Sequence, residues 1–135
     1  MKRLSLAPIA ALLLLPGTAA AAGFDASKPV ICASVDSLSC APGADCVAAT
    51  TEALNIPQFL RVDFAGKVVK AERLGGEERS SEIQRLEELE NEIILQGTQG
   101  GLGWSLTITR ATGKMSLSAV GDEVAFVVFG ACTPL

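Results

Sequence analysis

The sequence predicts a small all-β domain: one antiparallel meander closing into a barrel or a two-layer sandwich, with a disulfide-stapled loop near its N-terminus. Three observations lead there. Over residues 92–135 apolar side chains recur at every second position, the period of a strand with one face buried and one wet. Turn signals separate the apolar runs about every ten residues, the spacing of short strands joined by tight loops. Four cysteines, an even number, lie downstream of an export leader, which in a short exported chain reads as two disulfides.

The leader occupies residues 1–22. Lys2 and Arg3 give a positive start, residues 4–15 an apolar core, and Pro16-Gly17 a break. Ala20-Ala21-Ala22 supplies a small-x-small cleavage site before Gly23. The apolar run is too short to span a membrane, so cleavage rather than anchoring is expected. Residues 23–135 then form a single domain. Without Lys2 and Arg3 it carries nine basic against fifteen acidic side chains, net −6. An acidic surface argues against nucleic acid and against adhesion to anionic membranes. The expected setting is the periplasm or the medium, as a monomer without a stable membrane anchor.

Residues 29–34 (PVICAS) form the first predicted strand, with proline at its start where no ladder donor is needed. Residues 35–51 are the loop-rich disulfide region, with an edge strand near Cys46-Val47-Ala48. Residues 50–54 suit a helical turn, which Pro57 terminates. In residues 58–64, Leu60, Val62 and Phe64 share one face and Arg61 and Asp63 the other, a cross-strand charge pattern. Ala65-Gly66 turns the chain into a return strand over residues 67–72. Residues 74–81, with Gly75-Gly76 and Glu77-Glu78, read as a solvated loop.

Residues 81–96 admit two readings. Ile83, Leu86, Leu89 and Ile93 have helical spacing behind a capping-box pattern, Ser81-x-x-Gln84. The β-branched run Ile93-Ile94-Leu95 and the turn-prone Glu90-Asn91 favour two strands, the preferred reading. Beyond it, residues 97–103 form a glycine-rich hairpin loop, and Trp104, Leu106 and Ile108 alternate with polar neighbours. Residues 111–114 (ATGK) read as a short loop with Gly113 left-handed, and Gly121-Asp122 as a two-residue type II′ turn. The last strand, residues 124–129, is apolar on both faces and should be covered on both sides.

The four cysteines, Cys32, Cys40, Cys46 and Cys132, allow three pairings. Cys40–Cys46 closes a short loop holding Pro42-Gly43. Strand order then places Cys32 with Cys132, first strand against last. A Cys₄ metal site needs closely paired spacings that the chain lacks, so no metal or cofactor is expected.

Three segments, IPQFLRVDF (residues 56–64), GLGW (residues 101–104) and FVVFGAC (residues 126–132), resemble parts of a group of small exported proteobacterial proteins of uncharacterised function. The resemblance covers most of the chain after the leader. It implies an exported, disulfide-bonded, β-rich protein and brings no catalytic residue.

Chemistry is sparse. The chain has no histidine, the usual base for a serine or cysteine nucleophile, and no S-x-x-K pattern stands in for one. Eight of the fifteen acids fall between Glu72 and Glu92; a solvated charge run keeps carboxylates ionised rather than raising the pKa of one. The glycine-rich loop lacks the lysine and following helix of a phosphate loop. What stands out is Gly100-Gly101-Leu102-Gly103-Trp104: an adaptable loop beside the only tryptophan. Core packing accounts for Trp104, and an exposed binding anchor is its functional alternative.

The expectation is therefore a non-enzymatic exported domain contacting another envelope or extracellular protein through this loop and the acidic segment. Small β-barrel inhibitors supply the architectural analogy. A carrier holding a small apolar ligand inside the barrel is the alternative, and a hydrolase with paired carboxylates the third. An apolar internal cavity of several hundred Å³ separates the carrier from the others.

Overall fold

The computed structural model describes residues 23–72 and 78–135. The leader and the Gly75-Gly76 part of the predicted loop lie outside the described residues. Among the described residues ten strands follow one another: β1 (Val30–Cys40), β2 (Val47–Ala48), β3 (Phe59–Asp63), β4 (Val68–Glu72), β5 (Glu78–Glu82), β6 (Arg85–Glu88), β7 (Glu92–Gln99), β8 (Leu102–Thr109), β9 (Lys114–Val120) and β10 (Ala125–Pro134). They form one antiparallel sheet in the order β5-β4-β3-β1-β10-β9-β8-β7-β6, with the short β2 pairing off β1. The sheet curls into a half-barrel. Its two outermost strands, β5 and β6, are consecutive in sequence and meet at a corner. There the Ile83 amide donates to the Lys67 carbonyl beside β4 (2.8 Å), and the Gln84 amide donates to the Gln96 carbonyl on β7 (2.9 Å). Ile83 itself is buried at the corner.

The inward face follows from alternation along each strand. Cross-strand pairing aligns it into rows, because directly opposed residues share a face. Val128, Leu117, Leu106, Leu95 and Leu86 make one such row across β10, β9, β8, β7 and β6. Met115, Ile108 and Ile93 lie in the next. Val30, Val62, Phe64 and Ile83 join the same core from the other arm of the sheet. Each such side chain, fully buried, contributes about 1.5–3 kcal/mol relative to exposure.

Both disulfides form as strand order implies. Cys32 pairs with Cys132 across the β1–β10 ladder, and Cys40 with Cys46 across the turn that folds β2 back on β1. In that turn Gly43 has a left-handed φ of 70°. Residues 81–96 contain the bend of β5 into β6 and the β6–β7 hairpin rather than a helix. Arg110 locks that hairpin to the N-terminal segment. Its guanidinium donates to the Leu89 carbonyl, the Phe24 carbonyl and the Glu88 carboxylate at 2.8–2.9 Å, with only 19% of the side chain exposed.

Five local expectations are corrected. β1 runs on to Cys40 instead of ending at Ser34, by means of a bulge at Val35 that resets the alternation. Glu78–Glu82 is a strand, not a loop; its polar sequence leaves no apolar period to betray it. Residues 97–99 belong to β7, and the hairpin loop shrinks to Gly100-Gly101, whose positive φ values (57° and 83°) are those of a type I′ turn. The β9–β10 connection has four residues, 121–124, closed by the Gly121 amide on the Val124 carbonyl (2.8 Å), so Gly121 needs no positive φ. The outer face of β10 is not covered: Phe129 is 45% exposed.

Candidate functional site

The core is solid at one end of the half-barrel and hollow at the other. At the hollow end lies an apolar cavity of about 460 Å³, within the ~300–1,000 Å³ range of small-molecule sites. Its origin is legible in one cross-strand row. Phe126 on β10 opposes Ala119 on β9, which opposes Trp104 on β8, which opposes Gly97 on β7. Large and small side chains alternate, and the void opens over Ala119. The next row, Val128, Leu117 and Leu106, forms its floor. Leu60, Val69 and Ala71 line it from β3 and β4. Two residues further along the strands the space closes on Met115, Ile108, Ile93 and Val62.

Residues 54–57 cover one side of the cavity. They are held there by a turn that the sequence encodes. The Thr50 hydroxyl accepts from the Ala53 amide (3.2 Å), the Leu54 amide donates to the Thr50 carbonyl (3.1 Å), and Asn55 takes the left-handed conformation asparagine tolerates (φ 55°). Two buried serines of β1 fasten the segment from below. The Ser37 hydroxyl donates to the Ala49 carbonyl, and the Ser34 hydroxyl to the Pro57 carbonyl (3.2 Å). Buried hydroxyls of this kind stabilise only when partnered, and among the described residues no buried side-chain polar atom lacks a partner.

Trp104 is half-buried in the cavity wall. Its Nε1–H donates to the Ser81 hydroxyl (2.9 Å), and that hydroxyl donates to the Thr98 carbonyl (3.1 Å). One serine thereby orients the indole and ties edge strand β5 to β7. Gly97 makes the arrangement possible: a Cβ there would lie 2.5 Å from Trp104 Cζ2 and 2.4 Å from the Glu82 carbonyl oxygen.

The structure therefore brings part of the predicted loop together with the cavity. Trp104, Leu102 and Gly100 line it; Gly101 sits at the turn tip and Gly103 faces outward, both exposed. Sequence reasoning missed Arg79. It stands on β5 opposite the inward-facing Ala71, on the same face as Ser81, and is the one charged residue among the described residues lining the cavity. Among the described residues no carboxylate lines the walls. Glu78 and Glu82 occupy the alternate, outward positions of β5, where Glu78 pairs with Lys70 (3.2 Å).

A second, shallower groove lies on the outer surface beside the β1 bulge. Val35 (70% exposed) and Phe129 line it with Leu38, Ala48 and Glu52, and Phe59 (50% exposed) stands nearby on β3. Among the described residues no group of His, Cys, Asp and Glu side chains is placed to hold a metal ion. Two intramolecular disulfides fit an oxidising compartment, and no described helix is long and apolar enough to cross a membrane. Comparison of the chain with protein-family models, with curated proteins and with solved structures finds no match.

Proposed function

We propose that this is an exported, non-enzymatic binding protein that holds a small apolar molecule in the hollow end of its half-barrel. The observation that carries the reading is the 460 Å³ cavity among Trp104, Ala119, Phe126 and Leu60. A filled core was the expectation for a purely structural domain of this size, since interiors normally pack with few voids larger than a water molecule. The test is titration of the chain from Gly23 onward with N-phenyl-1-naphthylamine, a neutral apolar dye. Saturable one-to-one enhancement supports the reading when the folded, fully disulfide-bonded Ala119→Phe variant loses it. Absence of saturable binding to the native chain overturns it. Native mass spectrometry of protein purified from the periplasm tests export and occupancy together: the expected mass lacks residues 1–22 and carries a small molecule lost on denaturation.

A protein partner is the second reading, favoured by the exposed Val35, Phe59 and Phe129 on the outer face of β1, β3 and β10. Aromatic residues of this kind are enriched at interface hot spots. On this reading Phe59→Ser with Phe129→Ser abolishes capture of the partner and leaves dye binding intact.

A further inference from the structure

We infer that the occupant is a single-chain amphiphile with an anionic head, a carboxylate or a phosphate monoester, seated with its head at Arg79 and its alkyl chain over Ala119. This rests on the cavity-binding reading and adds to it the chemistry of the ligand. The walls are mainly apolar; their polar members are Arg79, Ser81, Ser80, Gln99 and Asn55, and Arg79 is the one charged residue among the described residues. Register fixes the orientation of the first two: Arg79 opposes Ala71 and Ser81 opposes Val69, both buried and inward-facing. A guanidinium on the rim of an apolar cavity offers paired N–H donors in the fork geometry that carboxylates and phosphates accept.

The surrounding charges sharpen the argument. The domain carries net −6 after the leader, so its overall field repels anions and supplies no general attraction for them. Among the described residues, the acids nearest to it in sequence, Glu78 and Glu82, point to the other face of β5, and Glu78 is engaged by Lys70. A local cation at an apolar cavity in an otherwise acidic protein selects for a ligand whose charge is confined to one end. The size also suits an alkyl chain. The cavity volume of about 460 Å³ lies in the ~300–1,000 Å³ range of sites that take small organic molecules.

The experiment is displacement of N-phenyl-1-naphthylamine by dodecanoate, dodecyl phosphate, dodecanol and dodecyltrimethylammonium, each below its micelle concentration, with Trp104 emission as a second readout. We expect at least one of the two anions to displace the dye tenfold or more better than dodecanol, with their order naming the head group, and the ammonium to be weakest. Arg79→Gln should weaken the anions about tenfold or more, as loss of a charge-assisted hydrogen bond does, while dodecanol and the dye stay within twofold. Arg79→Lys should recover part of the loss. Affinity should rise roughly fourfold per added methylene until the cavity is full. Equal displacement by dodecanol and both anions, unchanged in Arg79→Gln, overturns the head-group inference and leaves the cavity reading standing. No saturable dye binding at all overturns both.

Discussion

Cys32 and Cys132 stand directly opposite each other in the β1–β10 ladder, one hundred residues apart in sequence and with Cα atoms 3.9 Å apart. The Cys132 amide donates away from β1, to the Gly113 carbonyl (2.7 Å). The two cysteines therefore form a non-hydrogen-bonded pair, the kind in which opposed side chains approach most closely. First and last strands are joined in the middle of the sheet.

Removing this bridge with Cys32→Ala and Cys132→Ala should cost about 4–5 kcal/mol, the chain-entropy value for a hundred-residue loop. Replacing Cys40 and Cys46, only six apart, should cost about 2 kcal/mol by the same relation. Guanidinium denaturation of the two double variants checks the ranking. An equal loss in both would mean that loop closure is not the source of the stabilisation.

Ser81→Ala removes the acceptor of the Trp104 indole and the donor to Thr98 in one change. A loss of about 1–2 kcal/mol is expected for the orphaned N–H and the untied strand, together with a shift in Trp104 emission. Ser80→Ala, one residue away and exposed, serves as control and should do neither.

Gly97→Ala should destabilise by about 2 kcal/mol or more, because its Cβ meets the Glu82 backbone oxygen and the Trp104 ring at 2.4–2.5 Å. Gly103→Ala has open space around the new atom and should fall within about 0.5 kcal/mol of the native chain. Thermal melts of both variants distinguish a packing requirement from a general need for glycine in this hairpin.

The Asp25 carboxylate lies below the ordinary range because the Ser27 hydroxyl, and then the Ser27 amide, donate to it; nearby Lys28 and Arg110 add to the effect. A depressed folded-state pKa contributes stability at pH values above the ordinary 3.8 and loses it as pH falls through the depressed value. Acid titration followed by NMR should show the Ser27 amide released in that interval. The Asp25→Ala variant should lack this step.

The fold was readable where apolar alternation was strong and turns were specific. Leu60, Val62 and Phe64, or Trp104, Leu106 and Ile108, announce both their strands and their inward face. Gly113 takes the left-handed conformation its loop demanded, with φ 68°. Legibility failed where the pattern carried no hydrophobic signal. Glu78–Glu82 is a strand because β4 offers it a ladder on one side and Ser81 ties it to β7 on the other; nothing within ERSSE reveals that. Arg79 was hidden for the same reason.

The candidate site was half legible. Trp104 is legible as the sole tryptophan beside flexible glycines, and its N–H donates to the Ser81 hydroxyl. Its opposition to Ala119 depends on the β8–β9 register, which local sequence does not define. The bulge at Val35 was equally invisible, since PVICAS and the residues after it read as a strand followed by a loop.

The alternation of Phe126, Ala119, Trp104 and Gly97 divides the molecule lengthwise. The covalent tie between Cys32 and Cys132 and the tightly interlocked aliphatic side chains share one end of the strands; the vacant space and its glycine turn share the other. Exchanges at 102, 119 or 126 can recast the shape of the hollow without disturbing the anchored end. Such a chain resembles a handle fitted with an interchangeable cup, whose shape changes while the stem stays the same.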